Sequence, residues 1–175
     1  GLADMHCHMN GSGPSWDNDL FLYVANGVTM VREMWATVAS LRYRYLQLAG
    51  SIIAPRMILA SPGMDGPQGR YASGTPPVTS EAQARWLVGE YKRAGYDFIK
   101  VYNSLPSPVY GEIVRAAREY HLPVAGHVPF SVGIYGVLDA GQRSIEHLRG
   151  YIAELVPADS PVQPGASLRS RSVAW

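Results

Sequence analysis

The sequence predicts an α/β fold built on parallel strands, and three observations carry that expectation. Short apolar runs alternate with longer amphipathic ones, which is the rhythm of βαβ units. The chain has 175 residues, 47% of them hydrophobic, with a net charge of +1, which is enough to build a buried core. Four of its five histidines fall at the C-terminal ends of predicted strands, the end at which parallel α/β sheets present ligands.

Taken in order, Leu2–Met9 reads as a strand, followed by a Gly/Ser/Pro loop and a helix over 15–25. Asn26-Gly27 is a helix stop, and the β-branched run Val28–Met34 is the second strand. A helix through Leu41–Leu48 follows, then Pro55 and a strand over Arg56–Ser61. The segment Ser61–Val78 is rich in proline and glycine and has no period, so it reads as a long loop of the kind that carries function. Thr79-Ser80-Glu81 opens a helix that Gly95 closes. Phe98–Asn103, Pro123–Val128 and Ser144–Leu148 are strands, separated by helices over Pro108–Tyr120 and Val132–Ala140. Beyond Val156 the period is lost, so 157–175 reads as a loop or poorly ordered tail.

The composition excludes several classes. A single cysteine, Cys7, rules out an internal disulfide and a cysteine zinc site. No run approaches the ~18 apolar residues of a membrane span, and no signal peptide is visible. Gly1 is not an initiator methionine, so the compartment stays open. The arginines are scattered rather than arrayed in a phosphate-tracking stripe, and no nucleic-acid partner is expected.

The chemistry lies at the strand ends. In Asp4-Met5-His6-Cys7-His8, strand alternation puts His6 and His8 on one face, close enough to share a metal ion. His127 and His147 end the fifth and sixth strands, whereas His121 follows a helix and reads as structural. Lys100 stands inside the apolar run Phe98–Tyr102, where an ammonium is costly to bury. Two readings stay open for it. Its ammonium reaches past the strand end to water, or a neutral amine facing metal ions reacts with CO₂ to give an anionic carbamate that bridges two cations. Tyr102 shares the side of Lys100 and is a candidate substrate contact, as are Arg70 and Tyr71 in the long loop. Arg32 and Glu33 end the second strand and read as salt-bridge support for the site, while Asp4 lies one layer below the histidines.

This ordered set resembles the binuclear amidohydrolase superfamily, in its imidazolonepropionase- and prolidase-like branch. The similarity includes Gly1–His6, Asn26–Glu33, Gly95–Tyr102, Val124–Pro129 and Ser144–Leu148, and covers roughly residues 1–156. It implies a TIM-type (β/α)8 barrel holding two divalent metal ions, usually zinc. His6 and His8 would hold one, His127 and His147 the other, with carboxylated Lys100 as the bridge. A hydroxide between the metals would attack the carbonyl of an amide, peptide or cyclic amide of a small-molecule or short peptide substrate.

The sequence departs from that pattern in one respect. The family places a proton-shuttling aspartate after strand eight, and eight βα units take ~250 residues, at least ~200. The expectation is therefore an incomplete barrel of about six βα units over 1–156, cut from a longer protein at both ends. It would have a weakened metal site at His6 and His8, which lacks the aspartate, with open edges able to self-associate and little turnover of its own. Esterase, lactonase or phosphotriesterase chemistry on the same scaffold, or a non-catalytic metal-binding remnant, are the alternative readings.

Overall fold

A computed structural model describes residues 1–9, 15–69 and 75–155 of the chain. Arg70, Tyr71 and the 157–175 segment lie outside these residues. The order is β1 (Leu2–Cys7), α1 (Ser15–Ala25), β2 (Val28–Glu33), α2 (Val38–Leu48), β3 (Arg56–Leu59), α3 (Glu81–Ala94), β4 (Ile99–Val101), α4 (Ser107–Glu119), β5 (Val124–Gly126), α5 (Gly133–Asp139), β6 (Ser144–Ile145) and α6 (Tyr151–Leu155). All strand pairs are parallel, in two three-stranded sheets ordered β1-β2-β3 and β4-β5-β6. Parallel bridges Ala60↔Phe98 and Met64↔Val101 join them, so the chain after β3 runs beside β4. Ser61, the start of the long loop, donates its N–H to Phe98 O at 2.8 Å, and Met64 donates to Lys100 O at 2.8 Å. The first residues of that loop therefore extend the sheet rather than lie over its end.

Two periods of side-chain placement decide what faces the site. Along β4, Ile99 and Val101 turn into an apolar core shared with α3, α4 and α5 through Val88, Ile113 and Val137. Phe98 turns the other way and packs with Met34, Ala60 and Ala125 on the opposite side of the sheet. By strand alternation Lys100 and Tyr102 share the side of Phe98. A separate core seats α1 and α2 on β1–β3 through Leu20, Val31 and Leu59.

The helices begin and end as their sequences require. Ser80 Oγ accepts from Gln83 N at 3.2 Å to cap α3, and Gly95 closes it in the left-handed region at φ 93°. His121 stands just beyond α4, left-handed at φ 55°, and its N–H donates to Arg118 O at 3.1 Å. Gly126 at the end of β5 has φ 135°, and a Cβ there would lie 2.2 Å from Val101 O. Only glycine lets β5 lie this close to β4.

The sixth strand is shorter than its sequence suggests. It stops at Ile145, and Glu146–Leu148 is a 3-10 turn with His147 at φ 60° and Leu148 at φ 52°. Left-handed backbone costs a non-glycine residue on the order of 1–2 kcal/mol. Neither residue is of the Gly, Asn or Asp type that announces such a turn. The helix α6 that follows has no counterpart in the sequence reading.

Candidate active site

Three of the strands deliver side chains to one place. His6 comes from β1, Lys100 from β4, and His127 from the residue after β5, where its N–H donates to Val101 O at 2.9 Å. The left-handed turn after β6 adds His147. Ring centroids lie 4.5 Å apart for His6–His147, 5.1 Å for His6–His8 and 5.3 Å for His127–His147. All four histidines picked out by strand position are thus brought together, and His121 is not among them.

Among the described residues, Lys100 is the largest fully buried side chain, and its Nζ has no hydrogen-bond partner there. It stands 5.0 Å from the centre of the Tyr102 ring. Burial lowers its pKa from 10.5 to about 8; Glu146 opposes that fall, and the Arg32 and Arg149 charges add to it. The reading in which the ammonium reaches water does not hold, since the residue has no exposed surface. Tyr102, also buried, lies edge-on to His127 at 4.6 Å and beside Trp35 at 5.4 Å.

Acceptors stand behind the imidazoles. His6 Nδ1 lies 2.6 Å from Glu146 Oε2, and His127 Nδ1 lies 2.7 Å from Asn103 Oδ1. Glu33 Oε1 stands 3.7 Å from His8 Nδ1, too far for a hydrogen bond. Its carboxylate instead accepts the N–H of Met9 at 2.6 Å and of Trp35 at 3.0 Å, tying the turn after β1 to the end of β2. Arg32 pairs with Glu146 and donates to Met5 O at 2.8 Å, with its guanidinium over the Phe98 ring. Asp4 Oδ1 accepts the N–H of His6 at 3.0 Å. Burial, then the Lys100 and Arg149 charges, push the His127 pKa far below the usual imidazole range. His147 is lowered by burial and by His6. Burial pushes Glu146 up, but bonds from Ser144 and His6 and the Arg32 charge prevail and hold it below the usual carboxylate range. Sequence reasoning missed Glu146 and Asn103. Asn103 carries no signal in a single sequence, and alternation would have turned Glu146 away from His147.

The residues fit a metal centre by two observations. Nε2 of His6 and Nε2 of His8 are 3.3 Å apart, the separation that two ligands ~2.0–2.1 Å from a tetrahedral zinc ion adopt. The unpartnered Lys100 amine supplies a site for an anionic bridge. Among the described residues, no three His, Cys, Asp or Glu side chains form a ready-made cage.

No family model matches the sequence, and no curated protein does. Solved structures do match. A bottromycin amidohydrolase is 30% identical and superposes with a TM-score of 0.79, over 90% of this chain and 35% of that one. A Xaa-Pro dipeptidase with methionine bound in its active site matches at 19% identity and TM-score 0.67, over 83% of this chain and 47% of that one. A putative prolidase from Bifidobacterium longum matches at 22% identity and TM-score 0.60, over 80% and 37%. The last two likenesses concern the fold alone. This chain spans about a third to a half of the length of each of these neighbours. Its parallel α/β architecture is thus similar to part of the fold of amidohydrolase-type enzymes, with the histidines and Lys100 gathered at the C-terminal ends of the strands.

Proposed function

We propose that this chain forms part of a metal-dependent hydrolase of amide, peptide or cyclic amide C–N bonds, on an incomplete (β/α)8 barrel. The observation that carries the reading is Lys100, a fully buried amine with no hydrogen-bond partner among the described residues, beside Tyr102 and near enough to His127 and His147 for its charge to act on both. Such a group is costly to keep as an ammonium and becomes useful once it reacts. With its pKa near 8, a fraction is neutral at physiological pH. The lone pair of that neutral amine forms an N–C bond to CO₂ and releases one proton, leaving a carbamate.

His6 and His8 would hold one divalent ion, zinc by preference, through Nε2. His127 and His147 would hold a second, with the Lys100 carbamate spanning both. Because Asn103 engages Nδ1 of His127, that ring would also bind through Nε2. Bound metal supplies Lewis acidity toward the scissile carbonyl and activates water. Tyr102, with Arg70 and Tyr71 of the long loop, would contact a small-molecule or short peptide substrate. Support for the peptide class comes from the prolidase-like neighbours, one of which is complexed with N-methylphosphonate-L-proline.

The neighbours carry more than half of their length outside the match. We assign to that share the remaining metal ligand and the proton shuttle, so this chain alone binds fewer than two tight metal ions and turns over little substrate. In the same reading, β1 and β6, each with one strand neighbour among the described residues, leave open edges through which the chain would self-associate. The test is elemental analysis of the chain purified with zinc and bicarbonate. We expect bound zinc, its loss in Lys100→Ala, and its return when a short carboxylic acid is added to that variant. Unchanged zinc in Lys100→Ala overturns the bridge, and absence of zinc from the wild type overturns the reading.

A further inference from the structure

We infer that Glu146 is a positioning residue that selects the nitrogen with which His6 binds metal; the inference rests on the proposed metal centre. A carboxylate offers only acceptor oxygens, so its 2.6 Å contact makes Nδ1 of His6 the donor. The proton then sits on Nδ1, and the lone pair of Nε2 points toward Nε2 of His8, 3.3 Å away. This is the arrangement in which an outer carboxylate orients a metal-binding imidazole.

Two features hold the carboxylate in that role. Its Oε1 is taken up by Ser144 Oγ, which donates at 2.6 Å, and by the Arg32 guanidinium. Oε2 is thereby left to His6. The backbone supplies the second feature. In a continued strand, Glu146 and His147 would face opposite sides. The left-handed His147, at φ 60° and ψ 24°, breaks that alternation and lets both consecutive side chains reach His6, one by hydrogen bond and the other ring to ring at 4.5 Å. Arg32 from β2 and Glu146 from the turn after β6 also connect the two sheets beside His6, so the network fixes His6 relative to His147 as well as its tautomer.

Glu146→Gln provides the sharpest test. Arg32 and Ser144 are donors and would keep the carboxamide oxygen, turning its NH₂ toward His6. Nδ1 must then accept, and the proton moves to Nε2, the nitrogen that should bind the ion. We expect the long-range ¹H–¹⁵N spectrum of the metal-free chain, at a pH where the imidazoles are neutral, to show His6 as the Nδ1–H tautomer. The resonance is assigned by its disappearance in His6→Gln. In Glu146→Gln we expect the Nε2–H tautomer and a 10–100-fold weaker affinity for Zn²⁺, titrated as the metal alone. A purely structural role for Glu146 would move stability but not the tautomer.

A wild-type His6 carrying its proton on Nε2 overturns the inference with no variant needed, so the proposal stays open to refutation even if Glu146→Gln fails to fold. An unchanged tautomer in folded Glu146→Gln overturns it too. A chain that shows the tautomer switch yet binds no Zn²⁺ supports the grip of Glu146 on His6 and overturns the metal-centre reading instead.

Discussion

Every residue of β4 and β5 is buried, whereas β1 leaves Leu2 65% and Met5 50% exposed. The candidate site draws on both regions and is built differently in each. On the β4–β5 side, water is excluded: Lys100 and His127 are buried, and desolvation is the leading cause of both lowered pKa values. On the β1 side, His6 and His8 are partly or largely exposed, and hydrogen bonds hold His6 and the turn that follows β1. A site can thus be prepared by dryness or by bonding, and the two respond to mutation in different ways.

The largest contrast should appear on cutting into the two cores. Ile113, on α4, is fully buried against residues of β4 and α3, and Ile113→Ala should cost about 2–5 kcal/mol in urea denaturation. Leu20 is equally buried, but its core includes residues of β1, where Leu2 and Met5 stand at least half exposed. The surface there can relax into the gap, so Leu20→Ala should fall at the low end of that range. Equal costs for the two would break the contrast.

The dry side should also show itself in pH dependence. Lys100 has a lower pKa folded than unfolded, so between about 8 and 10.5 the unfolded chain binds more protons. Stability from this group therefore rises with pH through that window, and the penalty is fully present below it. The fall from 10.5 to about 8 corresponds to about 3 kcal/mol. Tyr110 and Cys7, pushed up to about 12 by burial, work in the opposite direction at higher pH. The measurement is therefore the difference between wild type and Lys100→Met, without metal and in CO₂-free buffer. Lys100→Met should be the more stable by about 3 kcal/mol at pH 7, with the gap closing as pH approaches 10.5. A gap that does not change with pH would mean that Lys100 is not desolvated.

How much of this was legible in the sequence follows the same division. The strands and helices were readable because periodicity is local, and the burial of Lys100 was readable because Ile99 and Val101 flank it. Strand polarity placed His6, His8 and His127 at one end of the sheets, whereas His147 reaches them through the turn after β6. The bonding side was far less visible. Arg32 and Glu33 read as salt-bridge support, and both face charged partners: Arg32 pairs with Glu146, 114 positions away, while Glu33 stands 3.7 Å from His8 and takes up backbone N–H groups that the sequence does not announce. A long-range acceptor leaves no periodic trace. The left-handed His147 leaves none either, because tertiary contacts rather than residue type hold it there.

The smallest expected effect tests where the contrast ends. Ser80 Oγ caps α3 on the dry side by accepting from Gln83 N at 3.2 Å. Ser40 Oγ serves α2 on the other side by accepting from Thr37 N at 2.9 Å. Both bonds close within three residues, so neither depends on which core its helix covers. Ser80→Ala and Ser40→Ala should therefore cost alike, about 0.5–2 kcal/mol each, read as matching shifts in the urea midpoint. If Ser80→Ala cost much more than Ser40→Ala, the asymmetry would reach into the helices themselves. Equal costs would confine it to the strands and to the side chains that the strands carry into the site.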